Sequence, residues 1–159
     1  MIVCNSGPLI ALGGIDQLEL LRDLFGRVCV PAEVVAEWQH GGIQKIGVDA
    51  LQRACWIDTA SIPTFCDPLL ASMLDVGEAR AIELARLRQP ATLLMDEARG
   101  RRVARDVYGL KVIGTGRVLV EAKRAGLIPQ VAPLVSAIRA SGYWLSDKIV
   151  AEILRQAGE

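Results

Sequence analysis

Asn5, Glu37, Glu78 and Asp96 are the side chains whose types and positions could do chemistry together. Asp96 closes the apolar run "TLLM", and Glu97 follows at once. Glu78 falls in the first turn of the helix-like segment before that run. Glu37 follows "VCV", one helical turn beyond Glu33, and Asn5 ends the opening run "IVC". Carboxylates a few ångströms apart repel, and one protonates unless a cation compensates. Oxygen-only donors suit Mg²⁺ or Mn²⁺, which keep several waters and need only one or two protein carboxylates. Such an ion activates water and stabilises charge on a transferring phosphoryl group. The chemistry these residues point to is phosphodiester hydrolysis.

The elements that must position them read as alternating strands and helices. "IVC", "RVCVP" at 27–31, "ATLLMD" at 91–96 and "KVIG" at 111–114 read as short strands, with "WIDTA" at 56–60 as a fifth. Between them, Leu18, Leu20, Leu21 and Leu24, then Ala79, Ile82, Leu84, Ala85 and Leu87, recur at helical spacing. This alternation predicts an α/β fold with a mostly parallel sheet of four to five strands covered on both faces. If "IVC" and "TLLM" are neighbours, Asn5 and Asp96 emerge side by side at the carboxyl edge, where sites collect in open sheets. Glu37 and Glu78 would project there from flanking helices. Two further helical segments, about 131–141 and 146–156, add to the C-terminal side.

Each candidate also has an ordinary reading. Asp96 suits the cap of the helix "EARGRRVARDVYG", and Glu78 suits a helix dipole at its positive end. Glu37 could be a plain helix residue, and Asn5 a turn former. Ser6 with Pro8 reads as a helix cap with a first-turn proline. Asp75 and Ser146 introduce two later helices.

The totals exclude several classes. The chain has 159 residues, is 52% hydrophobic and 23% charged, and carries no net charge, which fits one well-buried domain. Cys4, Cys29, Cys55 and Cys66 form no C-x-x-C pair and His40 is the single histidine, so no zinc site is expected. Cys4 and Cys29, inside strand-like runs, read as reduced core residues of a cytoplasmic protein. No signal peptide and no apolar run of the roughly 18–20 residues that span a membrane is expected. "GPLIALGG" matches neither glycine-rich phosphate-binding pattern.

Neutral in total, the chain is basic around Asp96. From 96 to 124 eight basic residues face four acidic ones, a local excess of +4, and Arg99, Arg101, Arg102 and Arg105 share one helix. These arginines could hold phosphates beside a metal pocket, or pair with their own helix's carboxylates. Aromatic residues are too few to suggest a stacking platform, and Tyr143 and Trp144 are expected to pack the C-terminal helices.

"IVCNSGPLIAL", "VPAEVVAEW", "LDVGEARAIELA", "LLMDEARGRRVA" and "LKVIGTGRVLVEAKRAGLI", in this order, resemble the PIN-domain proteins. They most resemble the subfamily of predicted nucleic-acid-binding proteins related to VapC-type toxins, and the likeness covers essentially the whole chain. It implies a PIN-like three-layer fold over residues 1–159, with a core of about 1–126 and a helical addition at about 129–159. It implies a ribonuclease dependent on Mg²⁺ or Mn²⁺, with Asn5, Glu37, Glu78 and Asp96 at the four acidic positions. Glu97 becomes a supplementary metal ligand, and Ser6 and Thr115 become supporting hydroxyls. RNA as substrate, a homodimer and a small antitoxin are the implied partners. The departure is Asn5, where many of these domains carry aspartate. It removes a unit charge from the metal site, where a unit-charge pair at about 4 Å is worth roughly 4 kcal/mol at an effective dielectric of about 20. Weaker metal affinity is expected. A catalytically weakened or inactive module that binds RNA or a protein partner is the alternative.

Overall fold

The parity of the strand residues decides the layers. A computed structural model of the chain describes residues 1–40, 53–62, 67–88 and 92–159. Cys66 and Ala91 lie outside the described residues. Successive side chains on a strand point to opposite faces. Ile2, Cys4, Val28, Val30 and Leu94 fall in one buried apolar cluster, whereas Val3, Cys29 and Leu93 fall in another. Strands buried on both faces need helices on both sides, which the chain supplies.

The strands are β1 (Ile2–Cys4), β2 (Val28–Pro31), β3 (Ile57–Ala60), β4 (Thr92–Leu94) and β5 (Lys111–Ile113). They form one sheet in the order β3-β2-β1-β4-β5, every neighbouring pair parallel. The strand expected from "WIDTA" is β3, at one edge. Parallel neighbours require crossovers, and those between the described strands include helices. These helices are α1 (Ser6–Gly13), α2 (Glu19–Phe25), α3 (Ala32–His40), α4 (Pro68–Met73), α5 (Val76–Leu87), α6 (Ala98–Asp106), α7 (Thr115–Arg124), α8 (Ala132–Ala140) and α9 (Asp147–Ala157).

The first face of the sheet is covered chiefly by α1, α2 and α7, with Val135, Ile138 and Ile153 of α8 and α9 in the same cluster. The second is covered by α5 and α6, through Ala81, Ile82, Ala85, Val103 and Ala104, with Leu70 of α4. This is the expected three-layer α/β arrangement. Of the leucines and isoleucines read as a helical stripe, Leu87 differs and is exposed at the end of α5. Among the described residues, no helix is long and apolar enough to cross a membrane.

Sheet order fixes what meets at the carboxyl edge. Cys4 pairs with Leu94 at the ends of β1 and β4. The backbone N–H of Asn5 then donates to the Leu94 carbonyl, and that of Met95 to the Ile113 carbonyl. The chain exits after the neighbouring strands β1, β4 and β5 therefore lie in a row, and α1, α6 and α7 start from them.

Candidate active site

Asn5 occupies the N-cap position of α1 in extended backbone, yet its side chain makes no capping hydrogen bond. Ser6, expected to cap, is instead the first residue of the helix and is half-buried. The Asn5 side chain turns away from its own helix, and its Nδ2 donates to Glu97 Oε2 at 3.3 Å. Asn5 is only 2% exposed, and its Oδ1 is buried without a hydrogen-bond partner. The reversed amide would set two acceptor oxygens against each other, so the network itself assigns the orientation. A buried oxygen left unpaired costs about 1–3 kcal/mol. That cost is understandable if the atom is kept for a ligand.

Asp96 is held by a different set. Its Oδ1 accepts the Thr115 backbone N–H at 2.8 Å, and its Oδ2 accepts the Thr115 hydroxyl at 2.6 Å. The Tyr143 hydroxyl donates to the same Oδ2 at 2.8 Å. Asp96 therefore caps α7, not the helix that follows it in sequence. Glu97 holds the N-cap position of α6 but does not cap it with its side chain. Thr115 is buried at the start of α7.

Glu78 keeps part of its ordinary reading. It closes a capping box with Asp75: the Glu78 N–H donates to Asp75 Oδ1 at 2.8 Å, and the Asp75 N–H to Glu78 Oε2 at 3.3 Å. Its carboxylate is nonetheless buried. Glu37 projects from α3 and is the most open of the set.

Four glycines make room for four carboxylates. A Cβ on Gly7 would stand 2.8 Å from Glu97 Oε1, one on Gly100 2.9 Å from Glu78 Oε1, and one on Gly114 2.9 Å from Asp96 Oδ1. A Cβ on Gly77 would stand 2.9 Å from Glu37 Oε2 and 3.5 Å from both Asn5 Oδ1 and Asp75 Oδ1. None of the four has left-handed backbone, so what they supply is space. The point left open at Gly77 is where oxygens from three separate parts of the chain converge.

Electrostatics ties these residues together. Burial raises the Glu37 carboxyl above its ordinary range, with Asp75 and Glu97 adding to the rise. Burial also raises Glu78, again helped by Asp75 and Glu97 and opposed by an Asp75 hydrogen bond and by Arg99. Glu97 is raised chiefly by burial and by Asp96 and Asp75, against a backbone hydrogen bond and the Asn5 amide that lower it. Glu97, ranked as supplementary from the sequence, is thus the residue that bonds Asn5 and feels the negative charge on both sides.

Among the described residues, no group of three or more histidine, cysteine, aspartate or glutamate side chains stands close enough to hold a metal ion. The donors present still suit a hard divalent cation, which needs only one or two carboxylates and completes its shell with water. The oxygens that approach one point are the unpartnered Asn5 Oδ1, Glu37 Oε2 and Asp75 Oδ1 beside Gly77, with Glu97 bonded to the Asn5 amide.

Two participants went unread in the sequence. Asp75 was legible only as a helix start, although its Asp-x-x-Glu box sets a second carboxylate at the same helix terminus. Tyr143 was expected to pack helices; it does pack against the first apolar cluster, but its hydroxyl reaches Asp96 from 47 positions along the chain. Burial and Asp96 push that phenol well above its usual range, so it stays a donor. Trp144, expected to be packed, is exposed. On α6, Arg99, Arg102 and Arg105 are exposed and Arg101 half-buried. Among the described residues, none of the four forms an ion pair, so the helix does not neutralise itself.

A family model described as PIN domain matches residues 1–159. The chain belongs to the PIN-domain family, whose members are generally nucleases acting on nucleic acid with divalent metal ions. No curated protein and no solved structure matches the chain.

Three outcomes are expected from this geometry. Gly77→Ala should change stability by no more than about 1 kcal/mol, because alanine favours a helix and Glu37 is flexible. The same variant should shrink the rise in Tm that Mn²⁺ produces, measured by thermal shift. Tyr143→Phe should lower the unfolding free energy by about 1.5–3 kcal/mol in urea titrations, the worth of a hydrogen bond to a charged acceptor. For pH, a carboxyl raised in the folded state binds protons more readily there than in the unfolded chain. Its contribution is full below the ordinary carboxylate value and is lost as pH rises through the raised one. Glu97→Gln removes one such group. Its Tm relative to the parent in EDTA should therefore climb as pH rises from about 4.5 to 7, and a falling difference would contradict the assignment.

Proposed function

We propose that the chain is an endoribonuclease dependent on Mg²⁺ or Mn²⁺, with Asn5 and the carboxylates of Glu37, Glu78, Asp96 and Glu97 as its site. The observation that carries this reading is the buried Asn5 Oδ1, unpaired beside carboxyls whose proton affinity is raised. Asn5, Glu37 and Glu97 would hold the ion, with Glu78 and Asp96 adding charge around it. When bound, the ion would lower the pKa of water and stabilise charge on the phosphoryl group.

The chain's own residues would do the rest. Arg99, Arg101, Arg102 and Arg105 would engage the phosphates flanking the scissile one, which fixes the strand without reading its sequence. Thr115 and Tyr143 hold the Asp96 carboxylate in one rotamer. Glu97, with its raised proton affinity, is suited to take a proton from water or return one to the departing oxygen. The further reading, as the toxin half of a toxin–antitoxin pair that forms a homodimer and is masked by a small antitoxin, rests on motif resemblance. The free thiols of Cys4, Cys29 and Cys55 suit a cytoplasmic setting.

A second reading is favoured by one observation. Asn5 already donates to Glu97, which stabilises the acidic cluster without a cation. A module that binds RNA or a protein partner through α6, with cleavage weak or absent, is consistent with that bond.

Mn²⁺-dependent cleavage of a mixed single-stranded RNA panel by the parent, Asn5→Asp and Asp96→Asn separates the two. Asp96→Asn is a fair substitution, since its Oδ1 can still accept from Thr115 and the two hydroxyls can accept from the new amide. The nuclease reading expects cleavage by the parent, lost by on the order of 100-fold or more in Asp96→Asn, with RNA binding retained. Asn5→Asp should lower Tm in EDTA, because it removes the donor to Glu97 and adds a like charge, and should enlarge the rise with Mn²⁺. Activity confined to Asn5→Asp would mean a site switched off at residue 5 and would establish the second reading.

A further inference from the structure

A cleft of about 1120 Å³ leads from Asp96 and Glu97 along β5 toward α9. Arg101, Lys111, Arg117 and Lys148 line it, with Trp144 among its walls. The acidic residues deeper in the cleft are largely matched: Glu121 pairs with Arg117 at 2.7 Å, and Glu152 with Arg155 at 2.7 Å. Among the described residues, Arg101, Lys111 and Lys148 form no ion pair, so the cleft offers three uncommitted cations, Arg101 at the Asp96 end and Lys111 and Lys148 elsewhere on its walls.

Trp144 is 78% exposed, the most exposed of the large apolar side chains described. An indole held in water forfeits the burial that makes tryptophan useful in a core. Its position is nevertheless fixed. Gly142, in left-handed backbone, turns the chain after α8, and the next residue, Tyr143, is anchored to Asp96. One dipeptide thus places a hydroxyl on the candidate site and an open aromatic face beside it.

We propose that Trp144 is a stacking platform for an unpaired base of an RNA strand lying in this cleft, next to the phosphate held at the Asp96 end. This deepens the nucleic-acid reading of the site and rests on it. The argument is complementarity: uncommitted cations match a phosphate backbone, and a flat apolar face matches a base. Every base has such a face, so the contact selects single strands over duplexes without selecting sequence. A protein segment could also cover an exposed indole, but it would not account for the cations that run along the cleft.

The test reads binding in EDTA, where metal-dependent cleavage is silent. A fluorescently labelled ten-nucleotide single-stranded RNA is titrated with the parent, Trp144→Ala and Trp144→Phe, with anisotropy as the readout. Tryptophan fluorescence of the parent is followed in parallel. Trp144→Ala should weaken binding about tenfold, and Trp144→Phe should retain most of the affinity. RNA should quench parent fluorescence, and the quench should shrink in both variants. An RNA duplex of the same length should compete at least several-fold less well. Circular dichroism should be unchanged, since so exposed a side chain supports no core. Binding that ignores Trp144, or a duplex that competes equally, overturns the platform and assigns the indole to a protein contact. Trp144-dependent binding without cleavage by the parent in Mn²⁺ would sink the nuclease reading alone. Cleavage with Trp144-independent binding would sink the platform alone.

Discussion

Five carboxylates and one amide share the carboxyl edge of the sheet, and their mutual repulsion is the constraint on which the site depends. Burial, nearly complete at Glu78 and partial at Asp96 and Glu97, limits the water that would screen them, and the structure relieves the charge in three ways. Asp96 is surrounded by donors from Thr115 and Tyr143. Glu78 is tied to the N-terminal backbone of α5 through its box with Asp75. Glu97 takes the Asn5 amide. An aspartate at position 5 would exchange that donor for another charge. The neutral residue is thus both a concession to metal-free stability and the source of a fully buried, unpaired oxygen in the cluster.

Space matters as much as charge. Gly7, Gly77, Gly100 and Gly114 each leave a carboxylate oxygen 2.8 or 2.9 Å from where a Cβ would stand. The four glycines begin or follow four different elements, so the cluster is possible only because α1, α5, α6 and the β5–α7 turn approach closely at one edge. Packing of this kind resists small changes, because protein interiors have few voids to absorb them. The site is a property of how the layers meet at that edge.

Much of this was legible in the residues. Strand runs, helical spacing and capping residues predicted the strands, the two covered faces and the carboxyl edge as the place for Asn5 and Asp96. The resemblance of five ordered motifs predicted the family. Less legible was the division of labour. Asp96 and Glu78 also cap helices, so their ordinary readings and a site role are compatible, because a helix N-terminus at a sheet edge needs an acceptor whatever else happens there. Asn5 departs from the pattern of a capping residue: the side chain that local sequence would turn to its own helix is drawn to Glu97.

By itself the sequence determined the alternation of strand and helix, the apolar parity of each strand, the excess of arginine on α6 and the substitution of amide for carboxylate at position 5. These follow from local propensity and short-range spacing. Tertiary structure alone decided that β1 and β4 are neighbours in the centre and that Gly77 marks the convergence of Asn5, Glu37 and Asp75. It also decided that Tyr143 serves Asp96 while Trp144 stands in water. Those relations join residues tens of positions apart. They are set by which faces bury most surface and where like charges find donors, quantities that have no value until the layers are assembled.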